Sequence, residues 1–325
     1  MSNKKQMLIG CLVVTLAVLG MIVPAFAAEE ETYSMVVFLK GSEFFNWAYA
    51  GMLDAAKLLN PSIKCELQGP AEWDASMEAR NIEQLIARNV SGIVVTAGEA
   101  NTLQPAIDKA IGKGIPIITF DSDSPTSKRL AFAGTNNYNA GFVAGKTMAE
   151  WLGKKGAIGI STFKGPDHLA KRVQGFTDAV AQVAPDIKIY DVDDEGKIER
   201  AAPKITALLK AHPEITGIFA SHGNPGSGAA QAVRDLNLQG KVQIMAFDFG
   251  SVVIELIEKG EIRATVGQNP YLMGYYGMIM AYAAKHPTSV KSKNDPLGHT
   301  PEILDTSVRI LGKDDMAPLK NPPKF

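Results

Sequence analysis

From Tyr33 onward, short apolar runs alternate with longer stretches in which apolar residues recur every three or four positions. The short runs read as buried strands: 33–39, 63–67, 92–96 and 115–119. Between them Ala48, Met52, Ala55 and Leu59 share one helical face, and Ala75, Ala79, Ile82 and Ile86 share another. A third helix over 101–111 is closed by Gly112 and Gly114. The strands are apolar along their length rather than alternating. That pattern predicts a parallel sheet with helices on both faces.

The pattern then starts again. Strands are predicted at 157–161, 186–190, 216–220, 242–246 and 262–266. A helix over 137–152 follows a break at "AGTNN" (133–137), and Ile198, Ala202, Ile205 and Leu209 mark another. Two α/β halves of similar size therefore follow each other. No low-complexity linker lies between them, which predicts halves packed through hinges. The expected fold class is α/β, two doubly wound parallel-sheet domains joined by a multi-strand hinge.

The first 27 residues break the pattern. Lys4 and Lys5 precede an apolar run from Leu8 to Val23, and Ala25-Phe26-Ala27 puts small residues where a signal peptidase reads them. The expectation is a signal peptide over 1–27, cut before Ala28, in an exported protein. "LIGC" (8–11) has the look of an acylation box, but too short an apolar run precedes Cys11. Beyond the cut only Cys65 remains, so an intrachain disulfide is excluded. The 325 residues exceed one ordinary core, and 46% hydrophobic with 21% charged residues is a globular balance. A formal net charge of -1 and the lack of a basic run give no nucleic-acid footprint.

In open parallel sheets, ligands sit beyond the carboxyl ends of the strands. Polar and aromatic groups gather there: "KGSEFFNW", "FDSDS", "TFKGPDHLAKR", "SHGNPGSG", "FDFG" and "GQNPY". Asp121 and Asp123 after an apolar strand could mean a metal, a catalytic acid pair or a bound ligand. No further ligands stand near "DSD" at metal spacing, so neither a metal nor a cofactor is expected. A glycosidase would need two facing carboxylates, and Asp121 with Asp248 keeps that possibility open. "GNPGSG" (223–228) lacks both the dinucleotide spacing and a P-loop lysine. It reads as a tight loop into a helix at Ala229.

These residues together resemble the periplasmic sugar-binding proteins of bacterial ATP-driven importers, the ribose-binding type. The resemblance runs from about Tyr33 to Leu311 and rests on "EFFNWAYAGM", "IPIITFDSD", "GTNNYNAG", "KRVQGF", "IMAFDFG" and "ATVGQNP" in that order. It implies two domains, 28–135 plus 269–305 and 136–268 plus 306–325, closing on one small ligand. It also implies ligand contacts at Phe44, Phe45, Asp121, Arg172, Asp248 and Gln268. Carboxylates accept pairs of hydroxyl donors, arginine donates in a fixed fork, and flat rings cover the C–H face of a sugar. The structural alternatives are plain ones: core packing for Phe44 and Phe45, helix capping for Asp121 or Asp248, a solvated charge for Arg172, a turn for His222.

The chain departs from the ribose pattern. Ser122 stands where ribose binders have Arg, and His222, with Asn224 two residues on, replaces an Asn. No aromatic stands near Asp194–Gly196, and Trp73 is an extra one. His168, one helical turn before Arg172, falls where hexose-type relatives place a polar contact. Trp73, His168, His222 and Asn224 complete the candidate site. The expected protein is a monomeric solute binder that delivers a sugar or polyol other than ribose to a membrane permease. The alternatives are a secreted carbohydrate-active enzyme and a sugar sensor acting on a chemoreceptor or kinase.

Overall fold

A computed structural model of the chain describes residues 30–223, 225–286 and 300–325. The expected signal peptide and Asn224 lie outside the described residues. The first β/α series is β1 (Thr32–Val36), α1 (Glu43–Leu59), β2 (Lys64–Gln68), α2 (Ala75–Ala87), β3 (Gly92–Val95), α3 (Ala100–Gly112), β4 (Ile117–Phe120) and β5 (Ala131–Gly134). The second is α4 (Asn137–Trp151), β6 (Ala157–Thr162), α5 (Asp167–Val183), β7 (Lys188–Asp193), α6 (Ile198–Ala211), β8 (Ile215–Ala220), α7 (Pro225–Asp235), β9 (Gln243–Phe247), α8 (Ser251–Glu258) and β10 (Ala264–Gln268). Then come α9 (Pro270–Lys285), β11 (Ile303–Asp305), β12 (Val308–Leu311) and two short 3₁₀ turns.

These strands build two six-stranded sheets, ordered β11-β5-β4-β3-β1-β2 and β12-β10-β9-β8-β6-β7. Every pairing is parallel except β10 with β12. The fold is therefore the α/β class the pattern predicts. The chain passes between sheets three times: from β5 toward α4, from β10 to α9, and from β11 to β12. All three passages leave the same edge of each sheet. The connections between the two sheets thus all lie at the β11/β12 edge, away from β2 and β7.

Each sheet is buried on both faces, and four apolar clusters result, two against each sheet. Met273, Met278 and Met280 fill the core under α9, as their apolar spacing suggests. From Thr32 to Phe325 the chain is one compact unit. Among the described residues no helix is long and apolar enough to cross a membrane.

Three details differ from the sequence reading. Strands β5, β11 and β12 are additional, each only three or four residues long, with β11 and β12 at the sheet edges and β5 between β4 and β11. Most strand boundaries shift by one to three residues. Of the glycines of "GNPGSG", Gly223 lies in the turn before α7, while Gly226 and Gly228 lie inside α7, which starts at Pro225. A Cβ on Gly228 would sit 2.7 Å from Ala201 Cβ, so that glycine lets α7 pack closely on α6.

Candidate functional site

Asp121 follows β4 and Asp248 follows β9, so each acid ends a central strand of its own sheet. Each has a left-handed backbone, φ +59° for Asp121 and +64° for Asp248. Each backbone N–H donates back to the next strand, Asp121 to Ala133 at 3.2 Å and Asp248 to Val266 at 2.9 Å. Aspartate is among the residues that adopt this conformation most readily, and the matched positions give the two acids the same place at the end of their strands.

Arg172 projects from α5 between them and is only 5% exposed. Its Nε donates to Asn137 Oδ1 at 2.7 Å and its Nη1 to the Ser221 carbonyl at 3.1 Å. The guanidinium lies 3.8 Å over the Phe247 ring, a cation–π contact that also covers one face. Gln268, at the end of β10, donates from Nε2 to Asp248 Oδ1 at 2.9 Å. Asp248 is thereby a paired acid, and it does not cap α8.

The electrostatics tie both halves together. Burial in the cleft and then the charge of Asp248 push Asp121 up to about 7, while Arg172 and Ser122 hold it down. Burial likewise raises Asp248 against the pull of Arg172, Gln268 and His222. Burial lowers Arg172 to about 10, and the two acids work against that. Both acids keep partial solvent contact. The cleft rather than a sealed core is what desolvates them.

His222 is held by a buried partner that the sequence reading did not assign. Its Nε2 lies 3.0 and 3.1 Å from the two Asp194 oxygens. Ser161 Oγ and the Gly196 N–H also donate to Asp194. Burial raises the Asp194 carboxyl, but these bonds outweigh it and keep it below the usual carboxylate range. His168 is exposed as a residue, but burial of its imidazole, then Arg172 and His222, lowers it to about 4.

The aromatics divide. Phe45 is 3% exposed and packs edge-on to Phe38 (4.9 Å) and Phe120 (6.0 Å) as part of the core. Phe44 is half-buried and meets Phe45 edge-on at 5.5 Å, so it keeps surface for a ligand. Trp73 is 56% exposed and lies over Phe38 at 4.3 Å. In the second half Phe163 lies against Gly196, where an added Cβ would come within 3.1 Å of the ring. Phe163 thus fills the region where the sequence lacks an aromatic after Asp194. Phe38, Asn137, Phe163 and Asp194 were not singled out from the sequence. Asn137 alone carried a signal, its place in the "GTNNYNAG" run.

Asp121, Asp248, Arg172, Gln268, His168 and His222 are thus gathered in one charged cluster. Trp73 stands at the rim and Phe45 stands behind the wall. Asp123 belongs elsewhere: it accepts from Arg129 Nε at 2.7 Å, Arg129 Nη2 at 2.8 Å and Thr119 Oγ1 at 2.6 Å. Among the described residues, no group of acids, histidines or cysteines could hold a metal ion. The cluster offers both acceptors and fork donors at close range, which suits a polyhydroxylated neutral molecule.

The periplasmic binding protein domain model matches residues 33–286, most of the chain. The chain belongs to that family, and its fold is the type I arrangement. It is similar to a D-ribose/D-allose-binding protein of Pseudomonas aeruginosa, at 25% identity over 73% of this chain and 76% of the relative. It is 26% identical to the D-allose-binding periplasmic protein of Escherichia coli, over 89% of this chain and 94% of that one. A solved arabinose-binding protein from Geobacillus stearothermophilus superposes with a TM-score of 0.84 at 30% identity, covering 88% of this chain and 98% of its own.

Proposed function

We propose that this chain is the periplasmic solute-binding component of an ATP-driven importer, and that its ligand is a carbohydrate or sugar-like polyol held in the cleft. The observation that carries this is the Asp121–Arg172–Asp248 cluster, built from both halves at the ends of central strands. The relatives named above, binders of ribose, allose and arabinose, support the ligand class. In this reading 28–135 plus 269–305 and 136–268 plus 306–325 move as two bodies. Ligand contacts with both bodies favour the closed form. The protein works as a monomer, without a cofactor, and hands its ligand to a permease.

The binder is favoured over an enzyme because the family is one of solute binders. A thermal-shift screen against pentoses, hexoses, polyols and amino acids tests the ligand class. A sugar or polyol should raise Tm by several degrees and be recovered unchanged at one equivalent per chain. Stabilisation by amino acids alone would overturn the class, and turnover of the sugar would overturn the binder.

A further inference from the structure

We propose that Glu43 and Ser251 form a latch that holds the two halves closed independently of the ligand. Helix α8 begins at Ser251, and the residue before it is Gly250, which has no side chain with which to cap it. The first helical N–H groups therefore lack a local acceptor. The acceptor comes from the other half. Ser251 N–H donates to Glu43 Oε2 at 3.1 Å, and Ser251 Oγ donates to Glu43 Oε1 at 2.5 Å. Glu43 is itself the first residue of α1. Two helix N-termini, each carrying partial positive charge, thus converge across the cleft on one carboxylate.

The contact depends on closure. Helix α1 is anchored in the core of the first sheet through Phe45, Ala48, Tyr49 and Met52. Helix α8 is anchored in that of the second through Val253, Ile254, Leu256 and Ile257. Separating the sheets leaves α8 uncapped and Glu43 facing only water. An acid at this position is not sufficient by itself. Asp167 opens α5 as Glu43 opens α1, yet it pairs with Lys171 on its own helix and is exposed. The latch raises the closed fraction before ligand arrives and slows release afterwards. Its second consequence rests on the proposed solute-binding role; the first does not.

The test measures closure directly, without ligand. In a Cys65→Ser background, spin labels at Glu72→Cys and Lys197→Cys, both on exposed loops at the cleft mouth, report the spacing of the halves by pulsed electron spin resonance. Glu43→Ala and Ser251→Ala should each shift the ligand-free distribution toward long distances, changing the closed-to-open ratio about three- to tenfold. The double variant should match Glu43→Ala, because Ser251→Ala removes only the Oγ bond and leaves the Ser251 backbone N–H to bond Glu43. Glu43→Gln, which keeps an acceptor but loses the charge, should fall between. An unchanged ligand-free distribution, a wild type wholly open without ligand, or additive effects in the double variant would each overturn the latch. So would Glu43→Ala weakening binding of a sugar from the screen while ligand-free closure stays intact, since Glu43 would then be a ligand contact. Failure of the sugar assignment would leave the ligand-free distances untouched.

Discussion

Glu78 is a carboxyl with no solvent exposure, at the start of α2. Thr96 Oγ1 donates to it at 3.0 Å, but burial dominates and pushes it up to about 8 from an ordinary 4.5. Its folded value lies above its unfolded one. The stability it confers is therefore fully present below about pH 4.5 and is lost as the pH rises through about 8. Glu78→Gln should match the wild type near pH 4.5 and unfold at a higher temperature above pH 8.5, as melting curves at both pH values would reveal. Parallel curves for the two proteins across that range would refute it. Helical spacing from Ala75 and Ile82 sets Glu78 on the buried face, but an acid letter argues against burial, so it was not singled out from the sequence. Asp121 and Asp123 show the same limit from the other side. Two acids in "FDSDS" look alike as letters. The structure gives Asp123 a largely buried partner, Arg129, within its own half, and turns Asp121 into the cleft.

At the scale of elements, each half begins alike. Lys40-Gly41 precedes Gly51 by the same spacing with which Lys164-Gly165 precedes Gly175. In each half the helix that follows the first strand of the sheet's long series, α1 after β1 and α5 after β6, packs on a helix that follows a strand of the other sheet, α9 and α4, through glycines set against backbone. A Cβ at Gly51 would lie 2.0 Å from the Tyr271 carbonyl, and one at Gly141 would lie 1.9 Å from that of Arg172. Gly51→Ala and Gly141→Ala should therefore each cost about 1–3 kcal/mol in chemical denaturation, since backbone has to move. Only Gly141→Ala should also weaken ligand binding, because it displaces Arg172. Equal affinities in both variants would show that Arg172 does not set affinity. The long apolar strands and amphipathic helices of this frame were legible because burial writes them into the residue pattern. Strand β5, "AFAG", was not, since alanine and glycine have little strand preference. Neither were β11 and β12, which exist only as pairings at the hinge edge.

For the whole molecule, the three passages between sheets and the cluster shared by both halves are what the proposed solute-binding role rests on. Asp121, Arg172, Asp248 and Gln268 were proposed from the sequence through the family resemblance, and the structure sets them near one another. The Asp194–His222 pair could not be read there, because only the fold brings those loops together. The central claim is that Asp121 accepts ligand hydroxyls in this cleft. Its most direct test is calorimetric titration of wild type and Asp121→Asn with the sugar or polyol that gives the largest thermal shift. Asparagine keeps the shape but replaces one acceptor oxygen with a donor. The account predicts single-site binding by the wild type and a loss of about a hundredfold or more in Asp121→Asn, with the variant still folded. Wild-type affinity in a folded Asp121→Asn would contradict it.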